Sequence, residues 1–393
     1  MSRALIRAGL LGLLLGLLAV ACITPPSQPT STAEDDEESE GPRPGSAPTY
    51  TPRPLPTAAV SGVLTELIAG DLVLPQSLAF APDGRLFFVE VKKGLLRVLT
   101  GKAVQSQPVA AIDVAHGAEH GLVGLALNPA FGQNHYLYTF YTDALKDNEA
   151  GRPRRNRLTR WVEQNGVATN ETPVLDNLPV GKCCHTGGKI AFAPDGSVFL
   201  TFGDQGDATR HLAQDPNQLH GKLLHFDPNV RTKEGAALLS LVYASGLRNP
   251  YGLDVHPVTG APFMTDNGPD MCDELDLGRP GANLGNPTVE CSPHDARFDD
   301  PIWDSGVDRL GVTGLRIYRG AMFPELVNDA LFCSVNTGNL MRAVLEPPGY
   351  DRVSRVEQLV GGQDGEGCRL DLAIAADGSV YYASMSKIFR LYR

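Results

Sequence analysis

The chain has 393 residues, 42% of them hydrophobic and 20% charged, ample for one large folded domain. A formal net charge of −11 lacks the cationic field that neutralises phosphates, which excludes a general nucleic-acid binder. The one basic stretch, 152–160, is short and interrupted by Pro153.

In chain order, Arg3 and Arg7 precede an apolar run, 10–20, followed by Ala21 and Cys22. A charged start, a short apolar core and small residues at a cut describe a signal peptide over residues 1–21. The run is about half the length of a spanning helix, so no transmembrane segment is expected. A cysteine directly after Ala19-Val20-Ala21 resembles a bacterial lipoprotein cleavage box, with Cys22 as the lipidated first mature residue. The protein is then exported and held to a bacterial membrane by its acyl chains alone, facing the periplasm or the cell exterior. Residues 22–60 are expected to be a disordered linker, because nine prolines fall in 24–58 and six acids in 34–40. Residues 61–393 form the expected folded domain.

That domain repeats one pattern six times. Segments starting at Phe80, Leu127, Phe192, Val255, Val327 and Ile374 each read as strand, turn, strand, the fifth most weakly. Pro82-Asp83-Gly84, Pro194-Asp195-Gly196 and Asp377-Gly378 are the clearest turns. The starts lie about 59 residues apart on average, the length of four short strands and their loops. No amphipathic helical stretch of useful length appears. The predicted fold is all-β, a six-bladed β-propeller, with 387–392 a candidate to close the ring against 63–68.

Loops at one end of a propeller channel carry its function. Before the third repeat stands Cys183-Cys184-His185-Thr186-Gly187-Gly188-Lys189. His185 suits a general base there, or is a histidine satisfied by a backbone carbonyl. Arg248 and Asn249, stiffened by Pro250, suit a planar anionic ligand, or a structural role between blades. Gly268 and Pro269 offer carbonyls to a hard cation, or form only a tight turn. Glu119 leads into the second repeat. An EF-hand over 266–277 fails, since Leu277 stands where a glutamate is needed. No phosphate loop, GxGxxG after a strand or GxSxG elbow is present.

Beyond Cys22, six cysteines remain, and export favours pairing. Cys272 with Cys291 is the first expectation from proximity. A ring between the adjacent Cys183 and Cys184 is strained, so these two are expected to pair elsewhere.

Taken in order, Glu119-His120-Gly121-Leu122, His185-Thr186-Gly187-Gly188-Lys189, Phe202-Gly203-Asp204-Gln205-Gly206, Gly246-Leu247-Arg248-Asn249-Pro250 and Asn267-Gly268-Pro269 resemble the glucose/sorbosone dehydrogenase family of soluble quinoprotein sugar dehydrogenases. The resemblance implies pyrroloquinoline quinone (PQQ) over the channel mouth with a calcium ion, Ca2+, beneath it. It implies a sugar substrate, oxidised at its anomeric carbon, and an external electron acceptor. His185 would take the proton of the anomeric hydroxyl while hydride passes to the quinone. Asp204 is a further candidate, to orient His185. Arg248, Asn249 and Glu119 would contact the cofactor, with Asn336 and Arg369 as further candidate contacts, and Gly268 and Pro269 would bind calcium through their carbonyls. Departures are visible too. Asn336 stands where the family has a cofactor-binding lysine. Cys368 and Leu370 stand where it has two arginines, leaving Arg369 one residue away on the opposite face. A second expectation follows: a non-enzymatic surface propeller, its cofactor lost, binding a carbohydrate or protein.

Overall fold

The computed structural model describes residues 55–58, 60–144, 155–229, 235–362 and 365–393. The signal sequence, the lipidation position Cys22 and most of the expected linker lie outside the described residues. No helix among the described residues is long and apolar enough to cross a membrane.

Six sheets succeed one another along the chain. Their innermost strands are Pro75–Phe80, Leu122–Leu127, Gly187–Phe192, Pro250–Val255, Val312–Ile317 and Leu372–Ile374, which head blades 1 to 6. Each innermost strand touches the next, and that of blade 6 touches that of blade 1, so the ring is closed. Each blade is built on an antiparallel run of four strands; blade 1 adds a short antiparallel strand, Ala110–Ala111, and blade 3 a parallel one, Ala282–Asn283. The predicted six-bladed propeller is therefore the observed fold. The only α-helix among the described residues is the single turn Phe131–Asn134.

All six repeated segments fall between the first and second strands of a blade. Blades 1, 3 and 6 use the tight Asp-Gly turn. Blade 2 inserts the helical turn, and blade 5 inserts a 3-10 turn, Pro324–Leu326, before Ala330–Ser334. That insertion explains why the fifth repeat was faint in the sequence.

Closure comes from the two ends of the chain. Leu64–Ala69 pairs antiparallel with Ile388–Tyr392 and supplies the outermost strand of blade 6. Ahead of it, within the expected linker, Ala58 N donates to Gln358 O at 2.8 Å and Gln358 N to Pro56 O at 2.8 Å, against blade 5. Aromatic pairs add to the aliphatic contacts between blades. Tyr138 of blade 2 meets Phe192 of blade 3 edge-on at 5.3 Å, and Phe80 of blade 1 meets Tyr381 of blade 6 at 4.9 Å.

Around the channel the inner strands approach too closely for side chains at some positions. A Cβ on Gly124 would lie 2.1 Å from Gly188 O, and one on Gly314 would lie 2.3 Å from Asp371 Oδ1. Glycine there lets six strands crowd around one axis.

A chain beginning at Asp71 lacks the closing strand and leaves the edge of Ile388–Tyr392 unpaired. Its thermal midpoint is expected to fall by roughly 10 °C or more, measured by circular dichroism.

Candidate functional site

Antiparallel strands reverse at each turn, so the six repeated turns lie on one face of the propeller. The loops leading into each blade, and those joining second to third strands, lie on the other. Every residue singled out for chemistry falls on these latter loops. Glu119, His185 and the Arg248-Asn249 pair precede the inner strands of blades 2, 3 and 4. Asp204 follows Val198–Phe202, and Gly268 follows Pro262–Asp266.

These loops converge on a single network. His185 Nδ1 lies 2.7 Å from Asp204 Oδ1, and both residues are buried. Gly206 N donates to the same Oδ1 at 2.9 Å, and Asn286 Nδ2 donates to Oδ2 at 3.2 Å, so the carboxylate is held on both sides. His185 N donates to Glu119 Oε2 at 2.7 Å, and Asn249 Nδ2 donates to Glu119 Oε1 at 3.2 Å. Glu119 thereby ties blades 2, 3 and 4 together. His185 sits at φ 56°, in the left-handed region that few non-glycine residues occupy.

The loop before His185 differs from expectation. Cys183 and Cys184 are bonded to each other. The other four described cysteines pair as Cys272–Cys291, as expected, and Cys333–Cys368, leaving no other partner among the described residues. The two sulfurs pack against Gly206, where a Cβ would lie 3.4 Å from each.

Arg248 Nη1 donates to Asn267 O at 3.0 Å and to Gly268 O at 3.1 Å. The backbone N–H groups of Arg248 and Asn249 both bind the Asp266 carboxylate. Arg248, Asp266, Gly268, Pro269 and Glu274 line a cavity of about 20 Å³, room for one ion or one water. Asp266, Glu274 and Asp276 bring carboxylate oxygens within 4.8 Å of one another. Asp276 is 0% exposed, and neither of its oxygens has a hydrogen-bond partner. Burial pushes the Asp266 carboxyl up to about 6, and burial with neighbouring carboxylates pushes Glu274 and Asp276 well above the usual range.

A second cavity, of about 170 Å³, opens at the channel mouth, and all six blades line it. Gln76, Glu119, Thr186, Tyr251, Val335 and Leu370 are one residue from each.

Asn336 and Arg369 stand apart from this cavity's lining. Asn336 Nδ2 donates to Arg309 O at 3.1 Å, and the Arg369 guanidinium is bound to the carbonyls of Val335 and Asn336. Leu370 faces the cavity in place of Arg369, and Cys368 is held in its disulfide.

The sequence model of the Glucose / Sorbosone dehydrogenase family matches residues 72–393. The chain belongs to that family. The aldose sugar dehydrogenase YliI of Escherichia coli K12 is 27% identical over 290 residues, covering 68% of this chain and 76% of that protein. Quinoprotein glucose dehydrogenase B of Acinetobacter calcoaceticus is 28% identical over 303 residues, covering 69% of this chain and 63% of that protein. A crystal structure described as an oxidoreductase (glucose dehydrogenase) from Thermus thermophilus superposes with a TM-score of 0.72. It is 32% identical and covers 84% of this chain and all of that one.

Several residues of this family member's mouth went unassigned in the sequence. Lys189 stood within the His185-Thr186-Gly187-Gly188 motif, but strand alternation does not say what it faces. Asn286, Glu274 and Asp276 reach the site only through the return of blades 3 and 4 to the same face.

Carboxyls whose folded pKa is raised give stability that is present below about pH 4 and lost as pH climbs through their folded values. With divalent cations chelated, Asp276→Asn is therefore expected to raise the thermal midpoint. The gain grows from near zero at pH 4 to several degrees at pH 8, read by scanning calorimetry.

Proposed function

We propose that this protein is an exported, lipid-anchored aldose dehydrogenase that uses PQQ and calcium to oxidise a sugar at its anomeric carbon. The observation that carries the reading is the His185–Asp204 pair, set beside a mouth built by all six blades in a member of this family. The names of the relatives, an aldose sugar dehydrogenase and a quinoprotein glucose dehydrogenase, support it.

The residues fit such a cofactor. Three buried polar atoms around the site, Arg248 Nε, Asn249 Oδ1 and Thr186 Oγ1, have no protein partner. Buried polar groups are rarely left so, and a planar ligand rich in carbonyls and ring nitrogens offers them partners. The carboxylates of Asp266 and Glu274, with Gly268 and Pro269 on the same small cavity, are a donor set for a hard cation. An uncompensated buried carboxylate such as Asp276 is costly without one nearby. Bound there, the quinone would supply the hydride acceptor and calcium the polarising charge.

The chain's own residues do the rest. Asp204 accepts from Nδ1–H of His185, which fixes the tautomer and leaves Nε2 to take the proton of the sugar's anomeric hydroxyl. Asp204 then stabilises the imidazolium that forms. Glu119 holds the His185 backbone, and Asn286 with Gly206 holds Asp204, so neither partner of the pair turns freely. Cys22 tethers the propeller to the membrane, and an external acceptor collects the electrons.

Leu370 at the cavity wall and the Cys333–Cys368 disulfide favour the second reading, a propeller that binds a carbohydrate or protein without catalysis.

Titration of the full-length protein with PQQ and calcium, followed by glucose and a dye acceptor, separates the two. Turnover is expected, with kcat falling roughly 10²–10⁴-fold in His185→Ala while PQQ affinity stays within a few-fold. No PQQ binding at tens of micromolar would leave the binding propeller. Calcium at millimolar concentration is expected to raise the wild-type thermal midpoint at pH 7 by several degrees, and to raise that of Asp276→Asn by less.

A further inference from the structure

Lys189 is a buried cation that the proposed chemistry leaves unused. It leaves the inner strand of blade 3 and lines the mouth cavity, with only 7% of the residue exposed. Its ammonium reaches Val123 O at 3.1 Å and Ser77 Oγ at 3.3 Å, two neutral acceptors on blades 2 and 1. A third N–H has no acceptor among the described residues. From blade 4 the Tyr251 ring faces the ammonium, 5.0 Å from ring centre to Nζ.

The charged neighbours do not neutralise it. Asp371 of blade 6 attracts it, but that carboxylate already accepts from Leu78 N at 2.9 Å and lies 3.5 Å from the Arg316 guanidinium of blade 5. Arg316 itself repels Lys189. Glu119 lines the same cavity but is spent on His185 N and Asn249 Nδ2. No ion pair among the described residues includes Lys189. Burial, the dominant cause, lowers its pKa to about 8. A buried ammonium beside a cavity, without a counter-charge, is a site for an anion.

Two other cations near this cavity, Lys92 and Arg369, are engaged. All three N–H groups of Lys92 donate to the carbonyls of Gly117, Ala118 and His120. Arg369 is held by Val335 O and Asn336 O, and Leu370 takes its place at the wall. Arg248 keeps a free Nε, but it lines the smaller cavity. On the lining of the mouth cavity itself, Lys189 is the cation with a free donor among the described residues.

We propose that Lys189 is the anion subsite of this cavity and binds a carboxylate of the quinone cofactor. The inference rests on the proposed function and assigns to the inner strand of blade 3 a task that Asn336 and Arg369 do not perform.

The sign of its pH dependence follows. A bound carboxylate raises the Lys189 pKa, so binding takes up protons near pH 8, and affinity falls as pH rises above that value. The test is calorimetric titration of the full-length, calcium-loaded protein with PQQ at pH 8, in phosphate and in Tris, whose ionisation enthalpies differ. Wild type is expected to take up about half a proton per site. Lys189→Met is expected to bind roughly 10–100-fold more weakly with no uptake. Lys189→Arg keeps the charge, and is expected to retain affinity, lose the proton uptake and bind independently of pH from 7 to 9. If Lys189→Met does not fold, the contrast between wild type and Lys189→Arg decides. Equal affinity and equal uptake in wild type and the lysine variants would overturn the inference while leaving the quinone reading intact. Wild type that binds no PQQ at all would overturn both.

Discussion

The ring of six blades exists because two short strands from opposite ends of the chain meet. Leu64–Ala69 lies against Ile388–Tyr392, with Ile388 and Leu391 fully buried beneath the pairing. Without that contact, blade 6 would end in an open edge. The mouth cavity takes one wall from each blade, so its shape depends on the closure as directly as the core does. A pairing between the two ends of the domain thus sets a geometry of a few ångströms.

Within that ring the site is organised by hydrogen bonds that cross blade boundaries. Glu119 reaches from blade 2 to the His185 backbone of blade 3 and the Asn249 amide of blade 4. Asp204, on blade 3, is held by Asn286, which follows the strand that returns to that blade. The left-handed His185 and the adjacent Cys183–Cys184 bond mark a loop whose conformation is imposed from outside itself. Rigid sheets carry the side chains, and loops of fixed shape aim them, the arrangement a pre-organised site needs.

Charge is distributed unevenly across this mouth. Blade 4 gathers three carboxylates, with Asp276 unpartnered, while blade 3 sends one unpaired ammonium towards the axis. Each is costly in the protein alone and balanced by a ligand of opposite sign. In the function proposed above, an anionic cofactor with a hard cation would satisfy both at once. The disulfide Cys333–Cys368 and Leu370 leave the walls of blades 5 and 6 without the cations expected there, so the balance shifts to the opposite side of the channel.

The sequence by itself determined the blade count, the closing strand and the loops that hold the candidate site residues. Turns such as Pro82-Asp83-Gly84 and Pro194-Asp195-Gly196 are local signals, because a strand reversal needs particular residues at particular offsets. The His185–Asp204 pairing was legible as well, through family-like motifs 19 residues apart. Only the tertiary structure decided that Cys183 bonds Cys184, that Arg369 turns to backbone carbonyls and that Lys189 faces the cavity without a counter-ion. Those outcomes depend on which residues of other blades stand opposite. Such neighbours are set by the twist and closure of six sheets, which no local pattern in the chain encodes.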